Sequence, residues 1–158
     1  TFSSDIHYEC EVVVRINRVE KKISEKFAHK YYDEIGLGID FTARDLQAKC
    51  KEKGHPWEIA KSFDQSAALS TSFIKKQDLD LSNINFQLQK NEEVVQQGNT
   101  RDMIFNIDQL IAYLSNFLTL KIGDLTYTGT PAGVGAVEIG DELIGSLENK
   151  EMFRLKVK

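Results

Sequence analysis

Apolar and polar residues alternate from position 7 to position 17, with Val13 the exception. Tyr8, Cys10, Val12, Val14 and Ile16 fall on one face; His7, Glu9, Glu11, Val13 and Arg15 fall on the other. A period of two over this length predicts a β-strand. A second strand is predicted over 35–41, loosened by Gly36 and Gly38, and the stretch 24–32 between them reads as a short helix. Thr42 and Asp45 have the spacing of a capping box for a helix over 43–53, with Gly54 as its stop and Pro56 preventing its resumption. Residues 55–70 read as an irregular loop anchored by Trp57 and Phe63. Further strands are predicted near 72–75, 85–90 and 94–99. Asn106 then caps an apolar helix running to 117, on which Leu110, Ile111, Leu114, Phe117 and Leu118 have the spacing of a core face; that reading is favoured over a dimer contact. Gly123-Asp124 turns the chain into a strand over 125–130, and after the loop 131–135 two strands near 142–147 and 152–157 close it.

These elements make a strand-rich domain with three helices. The absence of a regular βα alternation argues against a doubly wound parallel sheet, so the fold class is α/β in the broad sense and of the α+β type. A length of 158 residues suits a single domain over 1–158 with one core. Apolar residues at 41% and charged residues at 28% are ordinary globular proportions, which removes disordered and fibrous classes. A net charge of -4 gives no electrostatic footprint for nucleic acid, and the lysine runs at 49–53 and 75–76 read as solvated faces. No apolar run of ~18 residues spans a membrane and no signal peptide is visible. Cys10 and Cys50 read as reduced thiols, and the expected location is cytoplasmic.

Candidate chemistry starts at Glu9 and Glu11. Two apart on a strand, they leave the same face and repel each other unless something positive lies between them. A solvated surface pair is the plain alternative. A hard-cation site is the sharper one, since Mg²⁺ and Mn²⁺ prefer oxygen ligands. It needs a third carboxylate, and Asp40, at the end of a strand and just before a helix, is the natural candidate. Lys61 reads first as a surface residue lying over aromatic neighbours, with a positive charge for a site as the less favoured alternative. Arg44, on the first turn of its helix, divides evenly between a structural salt bridge and a ligand contact. His7 shares a face with Glu9 and is a candidate partner for it; His29 and His55 read as ordinary surface residues.

The segment His7-Tyr8-Glu9-Cys10-Glu11 resembles the H-x-E-x-E strand of the fumarylacetoacetate hydrolase family. Asp40-Phe41-Thr42-Ala43-Arg44-Asp45-Leu46-Gln47 is similar to its D-x-T-A-R-D-x-Q segment, and Trp57 with Lys61-Ser62-Phe63-Asp64 to its W-x-x-x-K-S-F-D element. Asn99-Thr100 with Asp102-Met103-Ile104-Phe105, Gly123-Asp124, and Thr128-Gly129-Thr130-Pro131-Ala132-Gly133-Val134-Gly135 match later blocks in order. Together they cover the chain from about residue 5 onward, and the set is specific where any one block is weak. The turn Asn91-Glu92 departs from the Asn-Gly usual there.

The resemblance implies a mixed β-roll or β-sandwich, a homodimer, and Mg²⁺ or Mn²⁺ held by Glu9, Glu11 and Asp40. It implies small 2-oxo or 1,3-dicarbonyl acids as substrates, with acylpyruvate hydrolysis or oxaloacetate decarboxylation as leading reactions and isomerisation of hydroxy-dienoate diacids as the alternative. Lys61 then sets a positive charge beside the substrate, with Gln47, Arg44 and Thr130 as further contacts. Three carboxylates leave about half of an octahedral shell open to a chelating keto acid. Family hydrolases draw a general base, a histidine with a glutamate, from an N-terminal lid. That segment would precede Thr1, so the chain is expected to lack it, and a non-catalytic binding domain that keeps the family core stays open as a second class.

Overall fold

The structure, a computed structural model, describes residues 2–158. The predicted first strand splits at Glu9 into β1 (Ile6–Tyr8) and β2 (Cys10–Ile16). After α1 (Glu25–Ala28) come β3 (Tyr32–Asp40), β4 (Thr42–Ala43), α2 (Arg44–Lys53) and α3 (Glu58–Lys61). Then follow β5 (Ala67–Leu69), β6 (Ile74–Lys75), β7 (Asn85–Lys90), β8 (Glu93–Asn99) and α4 (Ile107–Phe117). The chain ends with β9 (Leu125–Tyr127), β10 (Gly135–Ala136), β11 (Glu142–Leu147) and β12 (Lys150–Lys156).

The strands form three antiparallel sheets. β1 lies between β10 and β4; β2 and β3 are central in the order β5-β3-β2-β9, with β6 also on β3; the third runs β12-β11-β7-β8. The core is the layer between the last two. Val12, Val14, Ile35, Leu37 and Ile39 come from one side and Phe86, Leu88, Leu143, Leu147, Met152 and Phe153 from the other, all buried. Each such side chain contributes roughly 1.5–3 kcal/mol by leaving water. This is the expected α+β sandwich, with no parallel pairing among the described residues. Among the described residues no helix is long and apolar enough to cross a membrane.

β2 is buried on both faces, because its second face carries Val13 and Glu11 under further cover. Opposite them on β3 lie Gly36 and Gly38, paired with Val13 and Glu11. A Cβ on Gly38 would stand 2.6 Å from the Ala68 carbonyl oxygen and 2.8 Å from the Tyr127 ring. The missing side chain is what lets β5 and Tyr127 close over this part of the sheet.

Several expectations change. The helix over 24–32 shrinks to α1, since Tyr32 is taken into β3, where its ring is buried and its hydroxyl donates to Asp108. Among the described residues there are four α-helices, not three; α3 is a single turn, too short to show a period. Within that supposed loop Trp57 is no anchor but 45% exposed beneath Lys51, whereas Phe63 packs on Phe2 at 4.8 Å. The Thr42–Asp45 box does not form: Ala43 is the N-cap, and Asp45 accepts from Ser3 instead. Asn106 does cap α4, and it forms a reciprocal capping box with Gln109. α4 buries Ile107, Ile111 and Ser115, with Leu114 half-buried, but Phe117 and Leu118 are exposed. Phe117 follows Tyr113 by four residues and shares its outward face, and Leu118 is already extended. Asn91 and Glu92 both take positive φ, 51° and 71°, so the turn keeps the geometry Asn-Gly would give.

Gly38→Ala should lower stability by about 1–3 kcal/mol through overpacking. Denaturant unfolding measures it, and an unchanged midpoint would contradict the close approach of Ala68 and Tyr127.

Candidate metal centre

The site forms where three elements end. Glu9 sits at the break between β1 and β2, and its carbonyl accepts the Asp40 N–H at 2.9 Å. That bond ties the last residue of β3 to the break. Carboxylate oxygens of Glu9, Glu11 and Asp40 all lie within 4.8 Å of one another. The convergence expected of these residues is therefore present.

Two cations stand among them. Lys61 Nζ, delivered by α3, donates to Asp40 Oδ2 at 2.6 Å, Thr42 Oγ1 at 2.7 Å and Glu9 Oε2 at 2.8 Å. Its side chain faces the acids rather than the surface. Arg44, at the start of α2, donates to Glu9 Oε1 at 2.6 Å and to Gln47 Oε1 at 2.8 Å. The salt-bridge reading of Arg44 thus has its partner, and Gln47, which is buried, is held by its carbonyl with the amide N–H groups left over.

The charges shift accordingly. Burial works to raise Glu9, but hydrogen bonds from Lys61 and Arg44 outweigh it and hold its carboxyl below the usual range. Glu11 has no such cation. Burial pushes it up to about 7, with the Asp40 and Glu9 charges adding and the Gly129 N–H opposing. Burial also raises Asp40 against the pull of Lys61. Lys61 loses some charge preference to burial, yet its bonds to Asp40 and Glu9 keep it above the ordinary lysine range. One carboxyl near neutrality inside an acidic cluster is a donor set short of positive charge. It fits a hard divalent ion, which would favour the ionised form of Glu11.

A glycine-rich turn closes the opposite side. Gly129 N–H donates to Glu11 Oε2 at 2.6 Å. Thr130 was expected to offer its hydroxyl to a ligand; instead it donates to the Cys10 carbonyl at 2.9 Å and accepts from Gln96 Nε2 at 2.9 Å. Its proton is committed to the strand. His7 does not partner Glu9, because the break after Tyr8 separates their faces; it pairs with Asp5 at 2.9 Å. His29 and His55 are exposed, and Cys10 and Cys50 are buried free thiols.

Sequence reasoning missed three contributors. Thr42 is fully buried and ligates Lys61, a role that its place beside Asp40 could have suggested. Tyr127 lies by Glu11 with its hydroxyl on the Ala68 carbonyl, its pKa pushed up to about 12 by burial and by the Glu11 and Asp40 charges. Gln96 carries no sequence signal, since a polar residue in a strand reads as solvent-facing.

A model described as fumarylacetoacetate (FAA) hydrolase C-terminal matches residues 1–156. The chain belongs to the fumarylacetoacetate hydrolase family. Among relatives of this family member, the rat protein named oxaloacetate tautomerase FAHD1, mitochondrial, is 39% identical over 157 residues, covering 99% of the chain and 71% of that protein. Oxaloacetate tautomerase YcgM of Escherichia coli K12 is 45% identical over 140 residues, covering 87% of the chain and 64% of the relative. The fumarylpyruvate hydrolase of Pseudomonas aeruginosa, solved with Mn²⁺ and pyruvate, superposes with a TM-score of 0.91 at 33% identity, covering 98% of this chain and 66% of that one.

Glu11 makes stability depend on pH in a definite direction. Unfolded, it ionises near its ordinary value of 4.5, and folded near 7. The folded state alone holds the proton between these values. The stability this group contributes is therefore complete below pH 4.5 and lost as pH rises to about 7. In chelator, Glu11→Gln should gain stability over the wild type as pH increases through that window, read from thermal melting. A pH-independent difference would contradict the placement of Glu11.

Proposed function

We propose that Glu9, Glu11 and Asp40 hold Mg²⁺ or Mn²⁺, and that the chain is the core of an enzyme turning a small 2-oxo or 1,3-dicarbonyl carboxylic acid towards its enolate. The observation that carries this reading is the meeting of three carboxylates with Lys61 and Arg44 in one corner. When bound, such an ion supplies Lewis-acid polarisation to a chelating keto-carboxylate. The chain supplies the rest. Lys61 and Arg44 keep fixed positive charge where negative charge develops on substrate oxygen. Gln47, steadied by Arg44, has amide N–H groups for an oxygen of the acid. Gly129 N–H fixes the orientation of Glu11.

Enolate formation serves several reactions. Oxaloacetate keto–enol interconversion is the leading one, supported by the tautomerase relatives at 39% and 45% identity. Cleavage of a C–C bond, as in acylpyruvate hydrolysis or oxaloacetate decarboxylation, is the second, supported by the hydrolase structure with Mn²⁺ and pyruvate. The test follows three signals on the purified protein: loss of the oxaloacetate enol absorbance, pyruvate release from oxaloacetate, and acetylpyruvate cleavage. Mn²⁺ should accelerate the first, and Lys61→Met should slow it by about 10²–10³-fold, the usual effect of removing a group that stabilises developing charge. Mn²⁺ at 100 times its Kd should stabilise the wild type by about 2.7 kcal/mol, and Glu11→Gln should abolish that gain. A folded protein with no metal-dependent effect on any of the three reactions rules out the enzyme reading and leaves the binding-domain class.

We also propose a homodimer through the outward face of α4. Tyr113 and Phe117 pack at 5.2 Å and are 62% and 65% exposed, with Ile104 and Phe105 exposed just before the helix. Apolar side chains grouped in this way mark contact surfaces. Sedimentation should show a dimer that Phe117→Glu converts to monomer; a wild type that is monomeric at all concentrations removes the proposal.

A further inference from the structure

Gln96 lies on β8 and is 2% exposed, although Val94 and Gln97 around it face solvent. A buried amide is tolerated only when its polar atoms are paired. Here the Cys10 N–H donates to Gln96 Oε1 at 3.0 Å, and Gln96 Nε2 donates to Thr130 Oγ1 at 2.9 Å and to the Pro131 carbonyl at 3.1 Å. Thr130 Oγ1 donates onward to the Cys10 carbonyl at 2.9 Å. The result is a closed ring of hydrogen bonds through one strand residue, one loop hydroxyl and one amide.

Cys10 is the residue between Glu9 and Glu11. β3 pairs with it on one edge, but on the other β9 reaches only Val13, Val14 and Arg15. Without the Gln96 carbonyl the Cys10 N–H on that edge would lose its partner. On the loop side, Gln96 fixes Thr130 and Pro131, and the residue before them, Gly129, aims its N–H at Glu11. Both routes, through backbone and through loop, lead to the same carboxylates.

We propose that Gln96 is a positioning residue: it locks the 128–131 turn onto the strand segment that carries Glu9 and Glu11, and so sets the separation and orientation at which these carboxylates receive a metal. This rests on the reading of Glu9, Glu11 and Asp40 as metal ligands. A buried glutamine that merely stabilises the fold would leave metal affinity unchanged in whatever fraction remains folded. Ser115 provides the matched comparison. It is fully buried on α4, accepts from Ile23 N–H and donates to the Ala112 carbonyl, each at 2.8 Å, and its hydroxyl bonds none of the site residues.

The experiment is a Mn²⁺ titration followed by electron paramagnetic resonance, run well below the melting temperature of each variant. Gln96→Met keeps the volume and removes the hydrogen bonds. It should weaken Mn²⁺ binding by about 10- to 100-fold, the range seen when groups behind metal ligands are lost. Thr130→Val, which opens the ring at another point, should move affinity in the same direction and covers the case in which Gln96→Met does not fold. Ser115→Ala should lower the melting temperature and leave affinity at the wild-type value. Wild-type affinity in folded Gln96→Met or Thr130→Val overturns the proposal, as does an equal loss in Ser115→Ala. If the wild type binds no Mn²⁺ at all, the metal reading itself falls, and this inference with it.

Discussion

Mutual repulsion among three acids in one partly buried corner is the constraint that the surrounding structure answers. At the separations found here, each ionised pair would oppose the other by roughly 3–4 kcal/mol at an effective dielectric near 20. The chain meets this in two ways. Lys61 and Arg44 neutralise Glu9 and part of Asp40, while Glu11, which accepts a hydrogen bond from neither, is left with its pKa raised to about 7. The asymmetry between the two glutamates is the clearest electrostatic mark of the site, and it follows from which side of the strand break each one occupies.

That break is also what brings the elements together. β1 leaves the main sheet at Glu9 and joins β4 and β10, so the residues after Asp40 and the turn before Gly135 are drawn to one place. α2 then begins directly under Glu9, and α3 presents its last residue from the other side. The two glycines on β3 clear the face above, which Tyr127 and β5 fill over Gly38, and Phe73 and Ser70 fill over Gly36. No single element holds the site; it is made of strand ends, helix ends and one tight turn.

Much of this was readable from residue order. The alternation at 7–17 placed both glutamates, the motif around Asp40 supplied the third acid, and Asn106 marked a helix start that the structure keeps. What was not readable has physical causes. Alternation continues through Glu9, so nothing in the pattern reports the change of sheet. A single helical turn at 58–61 has no period to detect, which is why the side on which Lys61 emerges had to be seen. Thr42 fits a capping rule, yet a charged amine competes for its hydroxyl and wins. Gln96 looked like any polar strand residue, because the loop that buries it lies more than thirty positions away in sequence. Phe117 was assigned inward by counting apolar residues when its angular position, beside Tyr113, points out.

The ammonium of Lys61 has one more implication. It rides on a short tethered arm and already satisfies oxygens of Asp40, Glu9 and Thr42. A free sodium or potassium ion brings the same single charge without the tether, and so gains nothing by taking its place. An ion held as proposed would therefore meet oxygens already tied to a tethered positive charge, so that a side chain, and not only the size of a cavity, would bear on which ion enters.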